Sequence, residues 1–277
     1  MGLKDILVHV DCSKANAARV RAAIELAQRH GAHVTGLYVI PWVNMPAYAE
    51  FQVGPEVIQA QEEAARSQAS DAEAAFRAAL EETDLASEWR CVEGDIVSTI
   101  NVHGRYSDLI VLGQPGDQDP MAFSDGIVDD VVITSGRPVL VVPYIGMTRS
   151  IGEHVMVAWN ARREAVRAIH DALPILRQAR EVKVLAINAH SGDADHGDIP
   201  CADICLHLAR HGVAAVAQEL RADDIEVGDI LLSRAADAVV DLLVMGAYGH
   251  SRLREFILGG ATRHLLSHMT VPVLMSH

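Results

Sequence analysis

The chain has 277 residues, of which 50% are hydrophobic and only 4% aromatic, and its formal net charge is −14. That length suits about two domains, and that apolar content excludes a globally disordered chain. So acidic a surface repels a phosphate backbone, which excludes nucleic acid as a partner, and no apolar run approaches the roughly 18 residues that a membrane span requires.

The opening "MGLKDILVHVD" has no long apolar region followed by a cleavage site, and Ile6 stands where a myristoylation signal needs Ser or Thr. The four cysteines (Cys12, Cys91, Cys201 and Cys205) form no Cys-x-x-Cys pair, so reduced thiols and a cytoplasmic location are expected. "DILVHVD" reads as a first strand. "KANAARVRAAIELAQRHG" then spaces its apolar residues as a helix does, with Gly31 as its C-terminal cap. "HVTGLYVI" is the second strand. After it come "PWVNMPAYAEFQVGPE" and an Ala/Glu/Gln-rich helix to about Glu82, which read as a solvent-covered insertion. "SEWRCV", "DLIVLG" and "PVLVVP" complete five strands.

Past "YIGMTRSIG", from Tyr144 to Gly152, the pattern starts again with "HVMVAWN", "REAVRAIHDALPILRQA", "EVKVLAIN", "VAAVAQEL", "DLLVMG" and "PVLMSH". "DLIVLGQPG" matches "DLLVMGAYG" and "RPVLVVP" matches "VPVLMSH", at offsets of 133 and 134 residues (241 − 108 and 272 − 138). "EGDIVSTI" and "VGDILLSR" match in the same order. Three matches at nearly one offset imply a duplicated domain, here taken as residues 1–146 and 151–277. Strands alternating with helices predict an α/β fold. Each half is expected to be a Rossmann-like, doubly wound domain with a five-stranded, mainly parallel sheet flanked by helices. The closing strands are expected to join the halves, because an unpaired apolar edge invites strand addition.

Several constellations look chemical and are read as structural. In "CADICLHLARH" the pairs Cys201/Cys205 and His207/His211 point to roughly opposite sides of a helix, so one ion cannot take all four. Buried cysteines and surface histidines are expected, with Asp198 as that helix's N-cap. "HSGDADHGD" lacks the EF-hand ligand order, and His264/His268 lack the glutamate of a zinc motif. No P-loop lysine and no Gly-x-Ser-x-Gly elbow is present, so no catalytic set is visible and no metal ligand is assigned.

The glycines of "GAYGHSRLREFILGGATRHLL" are the exception. Gly246 ends an apolar strand and "GGAT" opens the last helix, expected over Gly260 to Met269. A loop there lies at the carboxyl rim of a parallel sheet, where ligands bind. Free amides at a helix N-terminus bind anions. The spacing Gly-x2-Gly-x9-Gly, met by Gly246, Gly249 and Gly259, resembles the nucleotide signature of the universal stress protein family. "ILVHVDCSKANAARVRAAIELA" and "PVLVVP" resemble that family's opening strand and helix and its closing strand.

The resemblance spans nearly the whole chain as two tandem copies. It implies a cytoplasmic stress-response protein that binds ATP or another adenine nucleotide, with or without Mg, and is regulatory or at most a slow ATPase. It also implies an internal pseudo-dimer, or a homodimer. The implied contacts in the second half are Ala158, Asn160, Ile187, Met245, Gly246, Gly249, His250, Arg252, Gly259, Gly260 and Ala261, with Arg254 nearby. The family's acidic residue on the first strand is Asp11 in the first half but Asn160 in the second, and its Ser/Thr after the third glycine is Gly260. In "GQPGDQDPMAFSDGIV" the glycines Gly113, Gly116 and Gly126 persist, but Asp117, Asp119 and Asp125 fill the loop and would repel phosphate. One nucleotide per chain, in the second half, is therefore expected. A nucleotide-free interaction protein and a weak ATP hydrolase remain as alternatives.

Overall fold

The computed structural model describes residues 2–42, 54–116, 126–147, 149–189, 199–222, 225–248 and 260–277. The first half runs β1 (Asp5–Val10), α1 (Asn16–His30), β2 (His33–Pro41), α2 (Pro55–Leu80), β3 (Ser87–Gly94), α3 (Ile96–Gly104), β4 (Leu109–Gly113), α4 (Ile127–Thr134) and β5 (Val139–Val142). The second runs β6 (His154–Ala158), α5 (Arg163–Leu176), β7 (Glu181–Ile187), α6 (Ala202–Arg210), β8 (Ala215–Leu220), α7 (Val227–Asp237), β9 (Leu242–Gly246), α8 (Gly260–His268) and β10 (Val273–Ser276). The last helix stops one residue short of the expected Met269.

The ten strands of the described residues belong to one sheet, ordered β3-β2-β1-β4-β5-β10-β9-β6-β7-β8. Pairing is parallel within each half, and the closing strands β5 and β10 meet antiparallel, with Leu274 opposite Leu140. The two five-stranded halves expected from the sequence thus form a pseudo-dimer with one continuous sheet. Residues at alternate positions feed different layers: Ile6, Val8 and Val10 pack on one face and Leu7 on the other. Both layers draw on both halves. The central β4, β5 and β10 are buried throughout, while the edge strands β3 and β8 are mostly half-buried or exposed.

Repeated residues do repeated work. Asp108, just before β4, accepts bonds from the Lys4 and Asp5 amides at 2.7 and 3.2 Å. Asp241, just before β9, accepts from Gly152, Glu153 and His154 at 2.7, 3.1 and 2.9 Å. Each carboxylate ties the strand that follows it to the entry of a neighbouring one. Gly31 takes the left-handed conformation that caps α1, at φ +61°. The insertion's helix α2 is largely solvent-exposed. Among its described side chains only Ala69, Ala72, Phe76 and Leu80 are buried, and the Phe76 ring lies against Gly36 where a Cβ would be 2.9 Å away.

Helix α6 departs from expectation. Its N-cap is Cys201, held at φ +66°, and Asp198 lies outside the described residues. Cys201 is buried, as expected, but His207 is no surface residue: it is half-buried and its Nε2 is enclosed by protein.

Candidate functional site

The carboxyl ends of β6, β7 and β9 converge in the second half. Ala158 ends β6, Ile187 ends β7 and Met245 is the penultimate residue of β9. All three join the same apolar layer, which also contains Leu265, Leu266 and Met269 of α8 and the residue after it. An apolar floor therefore lies on the sheet face that α8 covers. Gly260 and Ala261 form the first turn of α8, whose early amides have no partner within the helix. Asn160 is exposed beyond β6, and its Oδ1 accepts the Arg162 amide at 3.1 Å. Gly249, His250, Arg252, Arg254 and Gly259 lie outside the described residues.

Gly246 is required by packing. A Cβ there would sit 2.5 Å from the backbone of Glu164 and Ala165, so the first turn of α5 closes directly onto it. Gly260 is the opposite case, since a Cβ there would meet nothing within 4 Å. Between them, Tyr248 stands at φ +57° and donates from its phenol to the Asp129 carboxylate in the first turn of α4. Burial and that carboxylate push the phenol's pKa up. The loop of one half is thereby tied to the other half.

The matching region of the first half is filled by its own side chains. The Arg19 side chain, 1% exposed, reaches the Asp11 carboxylate at 2.6 Å and Asn16 Oδ1 at 3.1 Å. Its guanidinium lies over Gly113, where a Cβ would be 2.6 Å from Nη1. Burial alone would raise the Asp11 carboxyl, but Arg19 and His9, with bonds from Arg19 and Ser13, hold it below its usual value. Burial and then Arg19 push His9 down to about 3, against the pull of Asp11. Gln114, inside the first glycine loop, is also consumed: it donates to the Leu266 carbonyl of α8 at 2.8 Å and accepts from the Tyr144 amide at 3.1 Å.

Sequence reasoning missed Arg19, Gln114 and the Tyr248–Asp129 bond. Arg19 left a signal, since it occupies the apolar stripe of α1 beside Val20 and Ala23. In register with Asp11 and Asn160 (160 − 11 = 149), the position matching Arg19 is Ala168 (168 − 19 = 149), buried likewise. The other two left none, because they depend on how the halves meet. His264, expected as a satisfied or exposed pair with His268, bonds Asp229 at 2.7 Å through Nε2 and stacks on His268. Among the described residues no three His, Cys, Asp or Glu side chains are placed to hold a metal ion, and no helix is long and apolar enough to cross a membrane.

Known proteins resemble this chain in fold and in parts of its sequence. A universal stress protein from Archaeoglobus fulgidus superposes with a TM-score of 0.73 over 98% of this chain and 95% of its own, at 16% identity. A functionally unknown protein from Pseudomonas aeruginosa PAO1 superposes with a TM-score of 0.58 over 99% and 92%, at 14% identity. Both likenesses are of fold. In sequence, a universal stress protein of Synechocystis is 36% identical over 75 residues, which span 24% of this chain and 26% of that protein. The model of the "Universal stress protein family" matches residues 2–143 and again 153–277. With both halves matched, the chain belongs to the universal stress protein family and carries two of its domains in tandem.

Proposed function

We propose that the chain is a regulatory stress-response protein that binds one adenine nucleotide, ATP before others, in its second half, while the first half serves as a ligand-free buttress. The observation that carries this reading is the contrast between Arg19 and Ala168. Where the first half buries a guanidinium on its strand-end carboxylate and first glycine, the second has a methyl group and an exposed Asn160. The base would rest on the floor of Ala158, Ile187 and Met245. The phosphates would meet the amides of Gly260 and Ala261 and the loop through Gly249, His250, Arg252 and Gly259, with Mg as an optional companion. Turnover is expected to be slow or absent, because the sequence carries no P-loop lysine for phosphoryl transfer.

The test is calorimetric titration of the full chain with ATP and Mg. One site per chain is expected, lost in Gly259→Val with the fold intact. A stoichiometry near two, or unchanged binding in that variant, would overturn the assignment. No binding by the unaltered chain would favour the nucleotide-free interaction protein, to which the departures at Asn160 and Gly260 point.

A further inference from the structure

Three histidines in the second half play no part in that site. His170 on α5, His207 on α6 and His211 at the end of α6 form a cluster of rings. Centroids are 5.2 Å apart for His170–His207, 4.6 Å for His207–His211 and 6.2 Å for His170–His211. The Nε2 of His207 is buried inside it without a hydrogen-bond partner. Arg177, just past α5, donates to the His211 carbonyl at 2.9 Å and lies 3.3 Å from its Nδ1.

The charges that act on His207 come from His211, His170 and Arg210, and none is a carboxylate. On the packed elements around it, Asp171 of α5 is paired with Arg167, Glu181 of β7 with Lys183, and Glu219 of β8 with Arg221. Asp203, in the first turn of α6, lies one helical turn before His207 but is not among the charges that act on it. Among the described residues, no carboxylate is therefore committed to neutralising the three imidazoles once they are charged.

The helix they hold is shallowly anchored. Only Leu208 of its nine residues is fully buried, with Ile204 and Cys205 partly so. Cys201 at its start is 3% exposed and packs in the apolar layer.

We propose that this cluster is a proton-operated joint: neutral, its edge-on and tilted rings hold α6 on α5; charged, their mutual repulsion and that of Arg177 and Arg210 release α6 and bare Cys201. Burial first, then the neighbouring histidines and Arg210, keep His207 below its ordinary value. The folded arrangement thus binds its proton less readily than an open one does. The joint is fully closed above the ordinary histidine range and loosens as pH falls through it.

The experiment uses the full chain with Cys12 and Cys91, the two exposed thiols, changed to serine. Labelling of Cys201 and Cys205 by 4,4′-dithiodipyridine is measured between about pH 7.5 and about pH 5.5, relative to an unstructured cysteine peptide at each pH. Hydrogen exchange of α6 and of β4 is followed in parallel. The expected result is a rise in relative labelling of about tenfold on acidification, with α6 losing protection while β4 keeps it. The rise should vanish in His207→Leu and shrink in the exposed-site variant His170→Gln, which also serves if the first fails to fold. Flat labelling in the parent protein, an equal rise in the variants, or simultaneous loss of protection in β4 would each overturn the joint.

Discussion

His9 illustrates how one buried side chain sets a condition on the whole protein. Its pKa is about 3 in the fold, below the ordinary 6.5. The unfolded chain therefore binds a proton that the folded chain refuses. Stability is full above about pH 6.5 and falls by about 1.4 kcal/mol per pH unit below it, reaching a loss of about 2 kcal/mol at pH 5. Chemical denaturation at several pH values should show this slope, and His9→Gln should flatten it. A second residue-scale expectation concerns Gly260. With open space where a Cβ would go, Gly260→Ser should be accepted without strain and restore a hydroxyl beside the phosphates. A bond to a charged group is worth about 1.5–3 kcal/mol, so ATP should bind about tenfold tighter or more. Unchanged affinity on calorimetry would place the phosphates elsewhere. At this scale the sequence was only partly legible. The glycine spacing named its loop, but it did not disclose that the backbone of α5 forbids a side chain at Gly246. Spacing along a chain does not disclose which neighbour will press on a residue.

Elements were the most legible level, because hydrophobic periodicity is a local property. The strand runs "DLIVLG" and "DLLVMG" became β4 and β9, and "RPVLVVP" and "VPVLMSH" contain β5 and β10. Their shared leading aspartates were visible as a repeat, but their work at strand entry was not, since the amides they accept lie 87 to 104 residues away. Asp241→Ala would leave three amides, one of them buried, without this acceptor, at a cost of about 2–4 kcal/mol. Asp108→Ala strips two amides in a more exposed setting and should cost less. Thermal unfolding of the pair of variants measures the difference. Helix α6 was the poorest reading. Its start at Ala202 and the approach of His170 to His207 depend on packing between helices that no single periodic stretch records.

Across the whole molecule the decisive contact is the antiparallel pairing of β5 with β10, reinforced by Gln114 on α8 and by Tyr248 on Asp129. Leu140 and Leu274 face each other there, both at most 1% exposed. Leu274→Asp should cost more than about 3 kcal/mol, and calorimetry should resolve two unfolding transitions in place of one, because the halves would no longer share their apolar layers. A single cooperative transition in that variant would mean that the layers, and not the strand pairing, unite the halves. The Arg19–Ala168 contrast acquires its meaning at this level. Two identical chains assembled about a two-fold axis must place the same residue at both equivalent positions, so neither position can drift without the other. Joining the copies in one polypeptide lifts that constraint. Each half then answers to selection by itself, and a substitution that disables one pocket can be kept for rigidity while its counterpart remains free to read a metabolite.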